Sequence, residues 1–240
     1  MSYKKELIDR GYAIATINKK INSLQAYNFY LLKQGIVEEQ VVFFGKDQVK
    51  IASGSQKQVE VLTEEQVNRL LFFIQDRSKV TQRNELIIHL LLYTGVRVSE
   101  LCNIKIKDID FITSTFNIFG NGGKHREIPL RSELVEKIKS YIKEERSIDK
   151  FADSEYLLLS QRAIRLNRDS INNVLKQIER QLHFKLYPHL FRHTFCTRLI
   201  QRGVDITTVS RLAGHSNVTT TAEFYVNTSR QEKQQAVNLL

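Results

Sequence analysis

The stretch YPHLFRHTFCTRL, residues 187–199, carries two histidines and an arginine at helical spacing. Pro188 lacks an N–H and has a fixed φ, so it suits the first turn of a helix. A helix that begins there places His189 and Arg192 three residues apart on one face. Apolar neighbours such as Leu190 can bury the opposite face. The stretch therefore predicts a packed helix that carries polar side chains.

The next segment predicts a second helix that ends beside another histidine. Asp205 is a good N-cap, and the helix runs to Leu212 before the turn residue Gly214. His215 follows this turn, and a further helical stretch carries Tyr225. One short region thus holds residues spaced like parts of a single site, although packing alone would also explain each of them.

The charge balance indicates a polyanionic partner. The chain has 240 residues, with 36 lysines and arginines against 26 acidic residues, a formal net charge of +10. Such an excess favours nucleic acid first and an anionic membrane surface second. A generally basic cytoplasmic protein is the alternative.

The cysteines and the apolar runs predict a cytoplasmic protein. Cys102 and Cys196 lie far apart in apolar helical contexts, which is typical of reduced, buried thiols. Apolar runs stay well short of the roughly 20 residues that span a bilayer. The N-terminal residues lack the apolar core of a signal peptide.

Periodicity divides the chain into two predicted domains. Residues 1–58 predict a helical domain followed by an exposed linker, with Thr16 as the N-cap of a helix that Gly35 ends. Residues 59–240 predict a second domain. The broad apolar face of the first domain's helix is predicted from Ile17, Ile21, Leu24, Tyr27, Phe29, Leu31 and Leu32.

The second domain is predicted to be mainly α with a small antiparallel β-sheet, an α+β fold. Thr63 and Gln66 form a capping box before an apolar helix. A central helix from Asn84 to Thr94 ends at Gly95, and His89 within it is predicted to be a core histidine. Alternating residues between 106 and 130, with a glycine-rich turn, predict the sheet. Further helices are predicted at residues 133–145 and 168–181.

Two arginines, two histidines, a lysine and a tyrosine fit phosphodiester transesterification. A tyrosine oxygen can attack phosphorus and form a covalent intermediate. Arginine forks suit the non-bridging oxygens, which gain charge in the transition state. A histidine or lysine can move the protons. Because the phosphotyrosyl link stores the bond energy, the sequence predicts no cofactor and no metal.

The chain resembles the tyrosine recombinase (phage integrase) family. The matching pieces occur in the family's order over roughly residues 60–230. They are TGVRVSEL (94–101), the hairpin ending in REIPL (126–130), HLFRHTF (189–195), LAGHS (212–216) and Tyr225. The resemblance implies the family's catalytic domain, preceded by a partial helical core-binding domain.

The same resemblance implies a site-specific DNA recombinase, of the integrase, resolvase or Xer-like type. Arg97 and Arg192 would clamp the scissile phosphate. Tyr225 would be the nucleophile and form a 3′-phosphotyrosyl linkage. His189 and His215 would assist proton transfer and hold the phosphate.

Three departures from the family pattern stand out. Asn121 occupies the position of the usual catalytic lysine, so Lys124 is predicted to replace it, with a phosphate-contacting surface lysine as the alternative. The interval from His215 to Tyr225 is one residue longer than in many members. Residues 1–58 resemble only the second half of the family's core-binding domain.

The implied partner is double-stranded DNA with inverted half-sites, and not a membrane. Basic groups that include Arg165 and Arg168 would follow the DNA backbone. The resemblance implies that two protomers occupy the half-sites and that four assemble on two duplexes.

Three alternatives remain open. A DNA-binding module of the same fold could have lost activity, and a type IB topoisomerase-like enzyme would relax any supercoiled DNA. His189, His193 and His215 could instead bind zinc. However, Leu190 stands where an H-E-x-x-H metalloprotease has its glutamate.

Overall fold

The computed structural model of the protein describes residues 3–43, 45–49, 59–120, 125–215 and 221. The chain divides into two compact units, residues 1–57 and 58–240. Within the described ranges, no helix is both long and apolar enough to cross a membrane. The first unit contains α1 (Tyr3–Asp9) and α2 (Ile14–Lys33). The elements of the second unit are α3 (Glu64–Ile74), α4 (Gln82–Thr94), α5 (Val98–Asn103), a 3-10 turn (Ile106–Asp108), β1 (Ile109–Asp110), β2 (Thr115–Phe119), β3 (His125–Pro129), α6 (Ser132–Lys143), α7 (Arg168–Leu182), α8 (Pro188–Gln201) and α9 (Ile206–Ala213).

Helix α2 differs from its prediction in its start and in its buried face. Its N-cap is Ala13, in extended backbone, so the prediction of Thr16 as the cap is wrong. The Thr16 amide already lies in the first turn and donates to the Ala13 carbonyl at 2.8 Å. The broad apolar face is also wrong, because Tyr27 and Phe29 are exposed. The core of this unit is small: Leu7, Ile17 and Ile21, with Val42 and Val49 packed against them.

Helix α4 is the central helix of the second unit. Its side chains from Glu85 to Leu92 are all buried, as predicted for a helix covered nearly all round. It packs against α6 on one side and α8 on another. The Thr81 side chain accepts a hydrogen bond from the Asn84 amide at the start, and Gly95 ends the helix with φ +60°. The predicted end at Gly95 is confirmed.

The predicted antiparallel sheet is confirmed and has the order β1-β2-β3. Strands β2 and β3 form a hairpin whose register pairs Thr115 with Pro129 and Phe119 with His125. Phe116 and Ile118 alternate inward from β2, as the period of a strand requires. The hairpin residues 121–124, including Asn121 and Lys124, lie outside the described part of the chain.

Residues 59–64, which lead into the second unit, are attached to α8. The Leu62 amide donates to the buried Thr194 hydroxyl at 2.9 Å. Arg198 Nη2 donates to a carboxylate oxygen of Glu64 at 3.0 Å. The predicted capping box at the start of α3 is confirmed as well. The entry into this unit is therefore fixed on the helix that carries the predicted site residues.

Arg146 organises the loop that follows α6. Its guanidinium is buried and donates to three backbone carbonyls, those of Ala152 at 2.8 Å, Ser154 at 2.5 Å and Tyr156 at 3.0 Å. Because buried carbonyls need partners, this one side chain satisfies a loop without regular structure. Arg146 is thus a buried cation with a purely structural set of contacts.

A buried carboxylate joins α4 to its surroundings. Glu85 contacts Lys137 of α6 and Arg77, each at 2.5 Å, and His89 at 3.5 Å. Burial opposes ionisation, but hydrogen bonds from His89 and Lys137 and the charges of Lys137 and Arg77 outweigh it. They lower the pKa of Glu85 from 4.5 to about 2. His89 also stacks on Tyr93, so it is the core histidine that was predicted.

We expect Glu85→Gln to destabilise the fold at pH 7 by about 2 kcal/mol, because it removes the charged partner of Lys137 and Arg77. A lowered pKa stabilises the folded state only above the unfolded value of 4.5. The difference between variant and wild type should therefore shrink between pH 4.5 and pH 2. Denaturant titrations at several pH values measure this. Glu136→Gln, at an exposed carboxylate on α6, is the control, and an equal effect at both positions would contradict the prediction.

Candidate active site

Helix α8 brings Arg192 against the end of α4. The helix begins at Pro188 as predicted, and Arg192 is buried one turn later. Its Nη1 donates to the Gly95 carbonyl at 2.6 Å. A Cβ on Gly95 would lie 2.4 Å from a ring carbon of Phe195. The missing side chain therefore allows the close approach that this hydrogen bond needs.

Arg97 lies two residues beyond Gly95, at the start of α5. Its amide donates to Glu100 at 2.8 Å, and its Nη1 donates to the same carboxylate at 3.0 Å. Its Nη2 donates to the Gly214 carbonyl at 2.7 Å. The guanidinium is thus held between the first turn of α5 and the turn after α9.

Glu100 and Arg126 form a bidentate ion pair beside Arg97. Nη1 and Nη2 of Arg126 donate to the two Glu100 oxygens at 3.0 and 2.8 Å. Burial opposes ionisation of Glu100, but hydrogen bonds from Arg126 and Arg97 more than offset it, and the pKa of Glu100 is lowered. This buried carboxylate therefore stays charged and partly neutralises the surrounding cations.

His215 is delivered by the turn that ends α9. The Asp205 side chain caps the helix as predicted, and Gly214 ends it with φ +67°. The His215 Nδ1 lies 2.7 Å from the hydroxyl of Thr221, which is fully buried. Burial, followed by the charges of Arg192 and Arg97, lowers the pKa of His215 to about 4. The imidazole is therefore neutral at pH 7.

Arg192 has an unused donor in a buried position. Its Nη2 has no hydrogen-bond partner among the residues that the structure describes. Burial and the charge of Arg97 lower the pKa of Arg192 to about 10, so the protein disfavours this cation while keeping it charged. A buried, unpaired donor beside a second cation is the arrangement that an anion would complete.

A cavity of about 640 Å³ opens beside Arg97 and His215, whereas Arg192 is not among its lining residues. Its charged lining has a small positive excess and consists of Arg97, Arg126, Arg211, Glu100 and Glu127. His125 and His215 line it as well. An anion that enters therefore meets donors from α5, β3 and the turn after α9. The cavity has the electrostatic character of a phosphate site.

The predicted site residues have different outcomes. Arg97, Arg192 and His215 come together, as their mutual effects on pKa show. His189 is exposed in the first turn of α8, with its ring 6.2 Å from that of His193, and it is not among the lining residues of the cavity. Lys124 and Tyr225 lie outside the described residues.

Arg165 and Arg168 are both exposed. Arg165 Nη1 donates to Asn103 at 2.5 Å, and Asn103 lines the cavity. The guanidinium also lies over the ring of Tyr156. Their position agrees with a role in backbone contacts, which stays a prediction.

Two residues of the cluster were missed by sequence reasoning, Glu100 and Arg126. Both lie inside the quoted motifs, but only Glu100 has a local signal. Glu100 stands three residues after Arg97, the spacing at which a carboxylate can bind back to the start of a helix. Arg126 gave no local signal, because its partners are 26 and 86 residues away.

The proposed zinc alternative finds no support in this geometry. Across the described ranges, no group of three or more His, Cys, Asp or Glu residues is arranged to hold a metal ion. His193 is partly buried on α8, and burial lowers its pKa.

Comparison with known proteins shows which family this chain belongs to. Residues 60–232 match the sequence profile of the phage integrase family. The chain belongs to this family of tyrosine recombinases. The tyrosine recombinase XerA of Pyrococcus furiosus is 33% identical to this integrase-family chain over 243 residues, 99% of the chain and 78% of XerA. TnP I resolvase of Bacillus thuringiensis is 32% identical over 226 residues, 94% of the chain and 76% of the resolvase.

A solved structure supports the same assignment. The Tn1549 transposon integrase in complex with circular intermediate DNA has a TM-score of 0.71 and 26% identity. The match covers 98% of this integrase-family chain and 82% of the transposon integrase. The mainly helical fold with a small sheet is therefore that of the family.

We expect Arg192→Met and Arg146→Met to differ in their effect on stability, although both remove a buried guanidinium. Arg146→Met leaves three carbonyls unpaired and should cost about 3 kcal/mol or more. Arg192→Met breaks one hydrogen bond but also removes a desolvated charge, so its cost should stay below about 1 kcal/mol. Denaturant unfolding in phosphate-free and sulfate-free buffer compares the two. Equal losses would mean that Arg192 is mainly a structural residue.

Proposed function

We propose that this chain is a site-specific DNA recombinase that cuts and rejoins strands through a 3′-phosphotyrosyl intermediate. The observation that carries the proposal is the buried Nη2 of Arg192, which has no hydrogen-bond partner among the described residues and lies near Arg97, a lining residue of the cavity. Its family membership and the sequence position of Tyr225 support the same reaction.

The two arginines act as the phosphate clamp in this proposal. Arg97 and Arg192 enter from different helices, so their donors can reach the two non-bridging oxygens of one phosphate. Because these groups are already held in place, they stabilise the charge that develops in the transition state without reorganisation. Glu100 holds Arg97 in its orientation in the absence of DNA.

Tyr225 supplies the attacking oxygen. Its phenolic oxygen forms a bond to phosphorus while the bond from phosphorus to the 5′ oxygen breaks. The departing 5′ oxygen takes up a proton, and the tyrosine loses one. Attack by a 5′ hydroxyl from another strand reverses these steps, so rejoining needs no external energy source.

Histidines and a hairpin lysine manage the protons. His215 is neutral at pH 7, so it can accept a proton or hold the phosphate through a hydrogen bond. We assign His189 a supporting role in the same step. Lys124 is the proposed acid for the 5′ oxygen, because Asn121 at the usual lysine position cannot supply a proton. His125, which lines the cavity, is the second candidate acid.

Double-stranded DNA is the proposed partner. The net charge of +10 favours a polyanion, and a similar transposon integrase has been solved with DNA. Arg165 and Arg168 would contact the backbone beside the cavity. Residues 1–58 would serve as a partial core-binding domain, with two protomers on inverted half-sites and four in the recombining assembly.

We expect wild-type protein to form a covalent adduct on nicked duplexes taken from the DNA that flanks its gene. Tyr225→Phe should form none, because no other oxygen replaces the phenol. Lys124→Ala should cleave about 100-fold more slowly, the usual contribution of a positioned acid. Denaturing gels measure the adduct.

A 5′-bridging sulfur separates the roles, since a thiolate leaves without a proton. Lys124→Ala should cleave that substrate at about the wild-type rate. A rate that stays low would exclude Lys124 as the acid and leave His125 as the candidate. No adduct on a duplex that the protein binds would favour an inactive DNA-binding module. Relaxation of any supercoiled plasmid would favour a topoisomerase.

We expect Arg165→Ala and Arg168→Ala each to weaken DNA binding and to lower the slope of log affinity against log salt by about 1. The reason is that each lost phosphate contact releases one counterion fewer. Fluorescence anisotropy between low and moderate salt gives the slope. Lys139→Ala, at an exposed lysine on α6, is the control. An unchanged slope for both arginine variants would contradict the proposed contacts.

A further inference from the structure

Arg126 connects β3 to both α5 and α9 through its side chain. It lies in β3 with its side chain 13% exposed. Two of its nitrogens contact both oxygens of Glu100, at 3.0 and 2.8 Å. Its third nitrogen, Nε, donates to the Leu212 carbonyl at 2.9 Å. One guanidinium therefore joins the hairpin to α5 and to the end of α9.

These contacts close a ring that includes Arg97, one of the two arginines of the proposed clamp. Glu100 also binds Arg97, and Arg97 Nη2 donates to the Gly214 carbonyl at 2.7 Å. Leu212 and Gly214 are two residues apart, so Arg126 and Arg97 hold the same turn from two sides. His215 follows this turn directly. Arg97 and the turn before His215 are therefore linked twice, directly at Gly214 and through Glu100 and Arg126.

Arg126 also determines how Glu100 is shared. Because Arg126 occupies both carboxylate oxygens, Arg97 shares only Oε1 through its side chain. Loss of Arg126 would leave Glu100 a buried carboxylate with Arg97 as its main partner. Arg97 would then be drawn toward the carboxylate and away from an incoming phosphate, since the unpaired charge is costly to leave buried.

Gly214 shows how closely the turn packs on this guanidinium. A Cβ on Gly214 would lie 2.7 Å from Arg126 Nη1 and 2.9 Å from its Cζ. Three hydrogen bonds hold Arg126, so the side chain cannot simply swing away. The backbone at Gly214 is also left-handed, with φ +67°.

We propose that Arg126 is the positioning residue of the phosphate clamp. It fixes Arg97 through Glu100 and fixes the turn that carries His215 through Leu212. The inference rests on the proposed function, because it assigns this ring to the binding of a charged phosphate. A lysine could keep the positive charge but not the three contacts, since it is a point charge rather than a planar fork.

The test compares Arg126→Lys with wild type on two nicked duplexes. One carries an ordinary phosphate and the other a neutral methylphosphonate at the scissile position. Cleavage of the phosphate should slow by about 100-fold, as expected for a small misplacement of a reacting group. Cleavage of the methylphosphonate should slow by less than about 3-fold, because a neutral linkage depends little on the arginine clamp. DNA affinity should stay within about 3-fold of wild type, since the charge is retained.

Two further variants define the pattern. Arg97→Ala should show the same selectivity for the charged linkage, and adding Arg126→Lys to it should slow cleavage by far less than the product of the two single effects. Arg131→Lys, at an exposed arginine just after β3, should behave as wild type. Equal losses on both duplexes, or an additive double variant, would overturn the proposal.

Gly214→Ala disturbs the same ring from the α9 side, and it replaces Arg126→Lys as the test if that variant does not fold. Its Cβ displaces the guanidinium while the charge stays, so the same selective loss is expected. If wild-type protein forms no adduct, the proposed function fails. The role of Arg126 is then tested separately, by measuring how much inorganic sulfate stabilises each variant. Sulfate should raise the melting temperature of wild type and of Arg131→Lys more than that of Arg126→Lys or Arg97→Ala. An equal rise in all of them would overturn it.

Discussion

The hydrogen bond from Arg192 to the Gly95 carbonyl is the contact on which the site depends. It joins the end of the central helix α4 to α8 at a point where a side chain on Gly95 would collide with Phe195. Because Arg97 follows Gly95 by two residues, the same turn also sets the start of α5. One close approach of two helices thus positions Arg97 and Arg192, the arginines of the proposed clamp.

Gathering cations in a partly buried cavity is unfavourable, and the protein offsets only part of that cost. Glu100 supplies one buried negative charge to Arg97 and Arg126. Arg192 donates a single hydrogen bond among the described residues, to the Gly95 carbonyl, and its pKa and that of His215 are both lowered. An anion that binds here would relieve the remaining electrostatic strain, which is the physical basis of the proposed phosphate site.

Local chemistry made much of the second unit predictable. The capping box at Thr63, the glycine that ends α4 and the Asp205 cap each have a short-range cause, and each is found where it was expected. Thr16 was misassigned because Ala13 in extended backbone can begin a helix without a side-chain cap. Arg126 could not be assigned from the sequence, because its partners are set by tertiary packing.

The attachment of residues 59–64 to α8 has a mechanical consequence. Leu62 and Glu64 are fastened to the helix that holds Arg192, through the hydrogen bonds to Thr194 and from Arg198. Glu64 is the first residue of α3, so the start of α3 and the middle of α8 are mechanically coupled. A force applied at the start of α3 is therefore shared with the helix that carries Arg192.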